Sequence, residues 1–183
     1  LLVSQGRDGL TVKGLDLQSK PVQLAASLGM SGDRINLDLR EANADLGALQ
    51  KFIPDLPILG QVRASGKIDG ALAAPQGAIT LKASRIRAAA DPSGAEMEVD
   101  GRFGLTPNAL TIDWTGAGLG PTPLTIKGDI GLMRSDGGLP APGDASRLAL
   151  AVAWQGSVGP IMALAPLDDH RVTGDASIDI RIG

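Results

Sequence analysis

The sequence predicts an all-β, antiparallel fold, and three observations carry that expectation. Apolar and polar residues alternate with period two in segment after segment, the spacing that puts neighbouring side chains on opposite faces of a strand. Turn-forming clusters separate these segments, mostly at hairpin spacing. The crossover helices that parallel strands require are missing, and so are the unbroken apolar runs of a sheet covered on both faces. Every strand therefore has one wet face and one oily face, and the expected topology is an antiparallel meander.

In chain order, Leu10 and Val12 open the pattern, and Val22, Leu24, Ala26 and Leu28 continue it. After the turn Ser31-Gly32-Asp33, the apolar residues Ile35, Leu37 and Leu39 alternate with Arg34, Asn36, Asp38 and Arg40. The period then changes. Leu46, Leu49, Phe52 and Ile53 fall on one helical face, so a short helix is expected from Asn43 to Ile53, with Asn43 as N-cap and Pro54 as the stop. Alternation returns with Val62, Ala64 and Ile68, and again with Ile79, Leu81 and Ala83. Asp91-Pro92-Ser93-Gly94 separates these from Met97, Val99 and Phe103, and Thr106-Pro107-Asn108 precedes Leu110, Ile112 and Trp114. Gly116 to Pro123 leads to Leu124, Ile126 and Ile130. Arg134 to Ser146 reads as a long flexible loop with no structure of its own. Leu148, Leu150, Val152 and Trp154 form the next strand, Pro160 to Ala165 a second short helix, and Ala176, Ile178, Ile180 and Ile182 the last strand. The expectation is about ten strands in one domain.

Composition narrows the function classes. With 43% hydrophobic and 20% charged residues, the chain is neither disordered nor collagen-like. Its apolar content is nearly all aliphatic: Phe52, Phe103, Trp114 and Trp154 are the only aromatics, whereas a closed sandwich usually fills its middle with large rings. Seventeen Lys and Arg against 20 Asp and Glu, spread along the chain, argue against nucleic acid as a partner. The absence of cysteine removes disulfides and thiolate metal sites. Apolar runs fall far short of the roughly 20 residues a membrane-spanning helix needs, and LLVSQGRDGL lacks the features of a signal peptide. Both ends fall mid-pattern, so the chain is expected to be a piece of a longer protein.

Reactive constellations are sparse. His170 is the only histidine, and a metal site would need convergent ligands around it; an exposed turn before a strand is the simpler reading. Asp168 and Asp169 lack a matching carboxylate cluster for acid and base roles. GAGLG, Gly116 to Gly120, has the glycines of a phosphate loop but is followed by Pro121 and Pro123 instead of a helix, and reads as a turn. No enzyme, metal or cofactor is expected. Phe103, Trp114 and Trp154 keep step with the aliphatic face. They serve either as inward packing residues or as the stacking platforms of a carbohydrate-binding or structural β-sandwich, and periodicity does not separate a closed sandwich from an open groove.

Two stretches look like versions of one unit, ALQKFIPDLPILGQVRASGKIDG and PIMALAPLDDHRVTGDASIDIRIG, with Pro54 matching Pro166 and Gly60 matching Gly174. The first lies within Ala44 to Ser84, a region that resembles the C-terminal region of the TamB family, in the AsmA-like group of bacterial envelope proteins. The resemblance consists of a short amphipathic helix, a proline, a glycine-led strand from Gly60 to Ile68, the pattern G-x-L-x-x-P at Gly70, Leu72 and Pro75, and a further strand. Strong similarity covers about a quarter of the chain, and Ala71 and Ala73 stand where the family commonly has other residues.

The resemblance implies a β-taco, an elongated sheet folded lengthwise so that its apolar faces line an open groove. It also implies a protein anchored in the inner membrane of a Gram-negative bacterium that spans the periplasm, pairs with an outer-membrane barrel of the TamA type, and serves phospholipid movement and outer-membrane protein assembly. Periodicity adds compatibility, because acyl chains need apolar area and not a shaped pocket. Val22, Leu24, Ile35, Leu37 and Leu39 would line the first part of such a groove, and Val62, Ile68, Ile79, Leu81 and Val99 its middle. Leu110, Ile112, Trp114, Leu124, Ile126, Leu150, Val152, Ile178 and Ile180 would line the rest. Stacked at roughly 4.8 Å, ten strands give about 45 Å of groove.

Overall fold

A computed structural model describes residues 2–6, 9–91, 94–133, 139–159 and 174–183. All its strands belong to one antiparallel sheet of 11, ordered along the sheet as they are along the chain. They are β1 (Leu2–Gly6), β2 (Gly9–Ser19), β3 (Val22–Ser31), β4 (Arg34–Asp45), β5 (Ile58–Ala71), β6 (Ala74–Ala88), β7 (Met97–Thr106), β8 (Ala109–Ala117), β9 (Leu124–Gly131), β10 (Leu148–Ser157) and β11 (Asp175–Ile182). The meander expected from alternation is observed, with β1 as a strand the alternation did not signal. The sheet is open: β1 and β11 stand at opposite ends, and no second sheet covers it among the described residues.

Short turns set the register. Gly32, at φ +57°, lets β3 reverse into β4 through two residues. Thr106 closes the turn between β7 and β8 by accepting from the Ala109 amide at 3.1 Å. From there the pairing runs unbroken, and one apolar row crosses ten strands. It begins with Leu17, Leu24, Ala42, Ala64 and Leu81 on β2 to β6, and continues with Gly101, Trp114, Ile126, Val152 and Ile180 on β7 to β11.

Bulges keep that row apolar. An extra residue in one strand reverses which parity faces which side, and the sequence changes parity where the bulges fall. On β4, Arg40 and Glu41 lie opposite Ser65, so Leu39 and Ala42 share a face. On β6, Ser84 and Arg85 lie opposite Glu98, so Ala83 and Ile86 share one. Arg85 adopts φ +54°, and its amide donates to Glu98 Oε1 at 3.1 Å.

The helix α1 (Leu46–Leu49) corrects the longer one expected from Asn43 to Ile53. β4 extends to Asp45, so Asn43 is a strand residue opposite Gln23 and Arg63. The cap is Asp45, whose Oδ1 accepts from the Ala48 amide at 3.0 Å. Phe52 is 72% exposed and Ile53 51%, so that half of the expected helical stripe covers nothing, whereas Leu46 and Leu49 are half-buried. The second helix, Pro160 to Ala165, lies outside the described residues. At the described end of the long loop, Met133 and Ala141 form an isolated antiparallel bridge, and Ser146 Oγ accepts from the Gly143 amide at 2.8 Å.

Candidate functional site

The candidate site is the apolar face itself. The register places every residue named above as groove lining on that one face. Leu39, Ile79, Ile112 and Leu150 share a second row with Leu15, Ala26, Phe103 and Ile182. Leu37, Ile68 and Leu110 belong to a third, and Val22, Val62, Val99 and Leu124 to a fourth. Ile35 lies opposite Met30 and Gly70, and Ile178 opposite Trp154.

None of these lining residues is buried. All are half-buried except Ile180, which is 50% exposed. In a closed sandwich the middle of such a face would be dry. Among the described residues the buried apolar side chains are few, Ala26, Pro75, Ala83, Ile86, Ala88, Leu119 and Trp154, and no polar side chain is buried. The surface area says the same at larger scale. It is 11659 Å², against about 8,200 Å² for a compact protein of 18.6 kDa.

Small residues beneath large ones shape the floor. A Cβ on Gly101 would lie 2.9 Å from Trp114 Nε1, so the indole rests on the bare backbone of the neighbouring strand. Phe103 meets Trp114 edge to face, with centroids 5.3 Å apart and planes at 73°. Trp154, only 3% exposed, sits beside the loop that carries Leu119 and Gly120. Thr122 fixes that loop to β10: its hydroxyl donates to the Gln155 carbonyl at 2.9 Å and accepts from the Gln155 amide at 3.0 Å. GAGLG thus spans the end of β8 and the start of this loop.

The opposite face is polar and joined by ion pairs between directly opposed residues. Lys67 pairs with Asp38 at 3.5 Å, Lys82 with Asp100 at 3.2 Å, and Lys127 with Asp113 at 3.5 Å. Exposed pairs of this kind contribute about 0–1 kcal/mol each, but they oppose register slips that would carry the apolar rows to the wrong side.

His170, Asp168 and Asp169 lie outside the described residues. Among the described residues there is no cluster of three or more metal-ligating side chains, and no helix is long and apolar enough to cross a membrane. The glycines matched in the internal repeat behave alike: Gly60 has φ +137° and Gly174 φ +130°, in a region that favours glycine. At Gly60 a side chain would also meet the Arg85 carbonyl at 2.8 Å, because the β6 bulge crosses there. The parity changes were a signal the sequence carried unread, in the spacings Val12 to Leu15, Leu39 to Ala42 and Ala83 to Ile86. No family model, curated protein or solved structure matches this chain, so the likeness to the TamB family rests on the motif residues alone.

Proposed function

We propose that the apolar face is a lipid-carrying groove, and that the chain is a segment of a periplasm-spanning, TamB-like protein. In this reading phospholipid acyl chains lie along the aliphatic rows while the polar face stays in water. The full-length protein is anchored in the inner membrane of a Gram-negative bacterium. It pairs with an outer-membrane barrel of the TamA type, carries phospholipid between the two membranes, and supports assembly of outer-membrane proteins, autotransporters among them. Its work is binding and conduction, without catalysis or cofactor.

The observation that carries the proposal is the apolar row running from Leu17 to Ile180 over ten strands, with no sheet across it among the described residues. A continuous aliphatic surface suits a fluid chain, which gains by area removed from water at about 25 cal/mol per Å² and asks for little shape. The carbohydrate reading is less favoured, because Trp154 is buried and Phe103 packs on Trp114, leaving few free platforms. The test is organic extraction of the purified protein followed by mass spectrometry. Co-purifying phospholipid is the expected result; extracts no richer in lipid than those of an unrelated protein purified alongside would contradict it.

A further inference from the structure

The polar face breaks its own rule at one place. Opposed charges elsewhere on it are complementary, yet Arg63 on β5 stands directly opposite Lys82 on β6, with Asn43 on its other side. Like charges in directly opposed positions destabilise a sheet. Lys82 finds relief in Asp100 at 3.2 Å. Arg63 finds none: its guanidinium has no ion pair or hydrogen bond to any described residue, and neither has that of Arg40.

Arg40 is there because of the β4 bulge, which sets Arg40 and Glu41 side by side and exposed, opposite Ser65. Arg40, Glu41, Arg63, Ser65, Thr80 and Lys82 line one open cavity of about 470 Å³. Its floor is small and hydroxylic. Thr80 Oγ1 donates to the Ser65 carbonyl at 3.1 Å and lies 3.2 Å from Ser65 Oγ, so the Ser65 hydroxyl is free either to donate to Thr80 Oγ1 or to turn its proton outward. The one acid on the rim, Glu41, accepts from Asn43 Nδ2 at 2.7 Å. Three cations, two of them unpartnered, thus surround hydroxyl donors in a chain whose net charge is -3.

From this we infer a phosphate-binding site on the polar face, with Arg40 and Arg63 as planar forks for the phosphate oxygens, Lys82 as a point charge, and Ser65 as a hydroxyl donor. The phosphate belongs either to a soluble phosphorylated molecule or to a lipid headgroup at a membrane surface. The inference stands apart from the groove reading, since the sheet itself separates the two faces.

The experiment is an NMR titration of the protein with inorganic phosphate, at ionic strength held constant with chloride. Saturable shifts centred on the Ser65, Thr80 and Lys82 amides are expected. Arg63→Gln and Arg40→Gln should each weaken binding at least tenfold, while Lys67→Gln, which removes a partnered cation from the same face, should leave it unchanged. Because Arg63 opposes a lysine and has no acid, Arg63→Gln should keep or raise the melting temperature, which separates loss of the site from loss of the fold. Sedimentation with vesicles of phosphatidylcholine, with or without phosphatidylglycerol, distinguishes the sources. Arginine-dependent binding to the phosphatidylglycerol vesicles alone assigns a headgroup, and saturation by free phosphate alone assigns a soluble ligand. Shifts that never saturate, equal weakening by Lys67→Gln, or unaltered binding in Arg63→Gln would overturn the inference.

Discussion

Ile126 shows what an uncovered apolar face means for one residue. It stands between Trp114 and Val152 in the central row and remains half-buried. A charge inside a dry core would cost several kcal/mol. Here an aspartate can reach water from the open side, so Ile126→Asp should destabilise by about 1–2 kcal/mol in urea unfolding and should abolish lipid recovery from the folded protein. A variant that fails to fold would instead mark a closed core at this position. Charge is tolerated for a related reason on the reverse face, where partners such as Lys82 and Asp100 remain in solvent.

At the scale of elements, the strands were legible because period-two patterning survives wherever one face meets water and the other does not. What stayed hidden was the phase. A bulge costs the pattern one residue, and that looks like noise until the pairing is known, as at Arg85 between Ala83 and Ile86. The helix was misjudged for a different reason: apolar spacing at Leu46, Leu49, Phe52 and Ile53 fits a helix, but pairing of β4 with β3 and β5 holds Asn43 to Asp45 extended. The surviving turn, α1, packs on β5 and β4. Its contacts give a paired prediction. Leu49→Ser, at a half-buried position, should lower stability by about 1–2 kcal/mol, whereas Phe52→Ser, at a side chain in solvent, should stay within about 0.5 kcal/mol. Denaturant midpoints of the two variants decide whether the helix end or the whole apolar stripe contributes. The same close approach makes Gly60→Ala costly, by about 2 kcal/mol or more, since both its φ and the bulge carbonyls exclude a side chain.

At the scale of the whole molecule, a single sheet of 11 strands is a long object, about 48 Å across its strands at 4.8 Å spacing. Small-angle scattering should therefore return a radius of gyration clearly above the ~16 Å of a compact chain of this length, and a compact value would speak for a folded-over sandwich. That the apolar residues share one face was readable almost residue by residue, because the face is written in the alternation itself; its openness was not, because the same alternation serves a dry core. The central claim is that lipid meets one face and not the other, and photocrosslinking tests it most directly. A photoreactive residue placed in turn at each position from Leu110 to Thr115 and from Ile35 to Ala44, in the protein exposed to phospholipid, reports contact by mass-shifted adducts. The account predicts labelling at Leu110, Ile112 and Trp114 and none at Thr111, Asp113 or Thr115. On β4 it predicts labelling at Ile35, Leu37 and Leu39, all half-buried, then a change of phase across Arg40 and Glu41 to Ala42 and Ala44. Adducts on both faces, on neither, or with unbroken odd-numbered phase through Glu41 and Asn43 would contradict it.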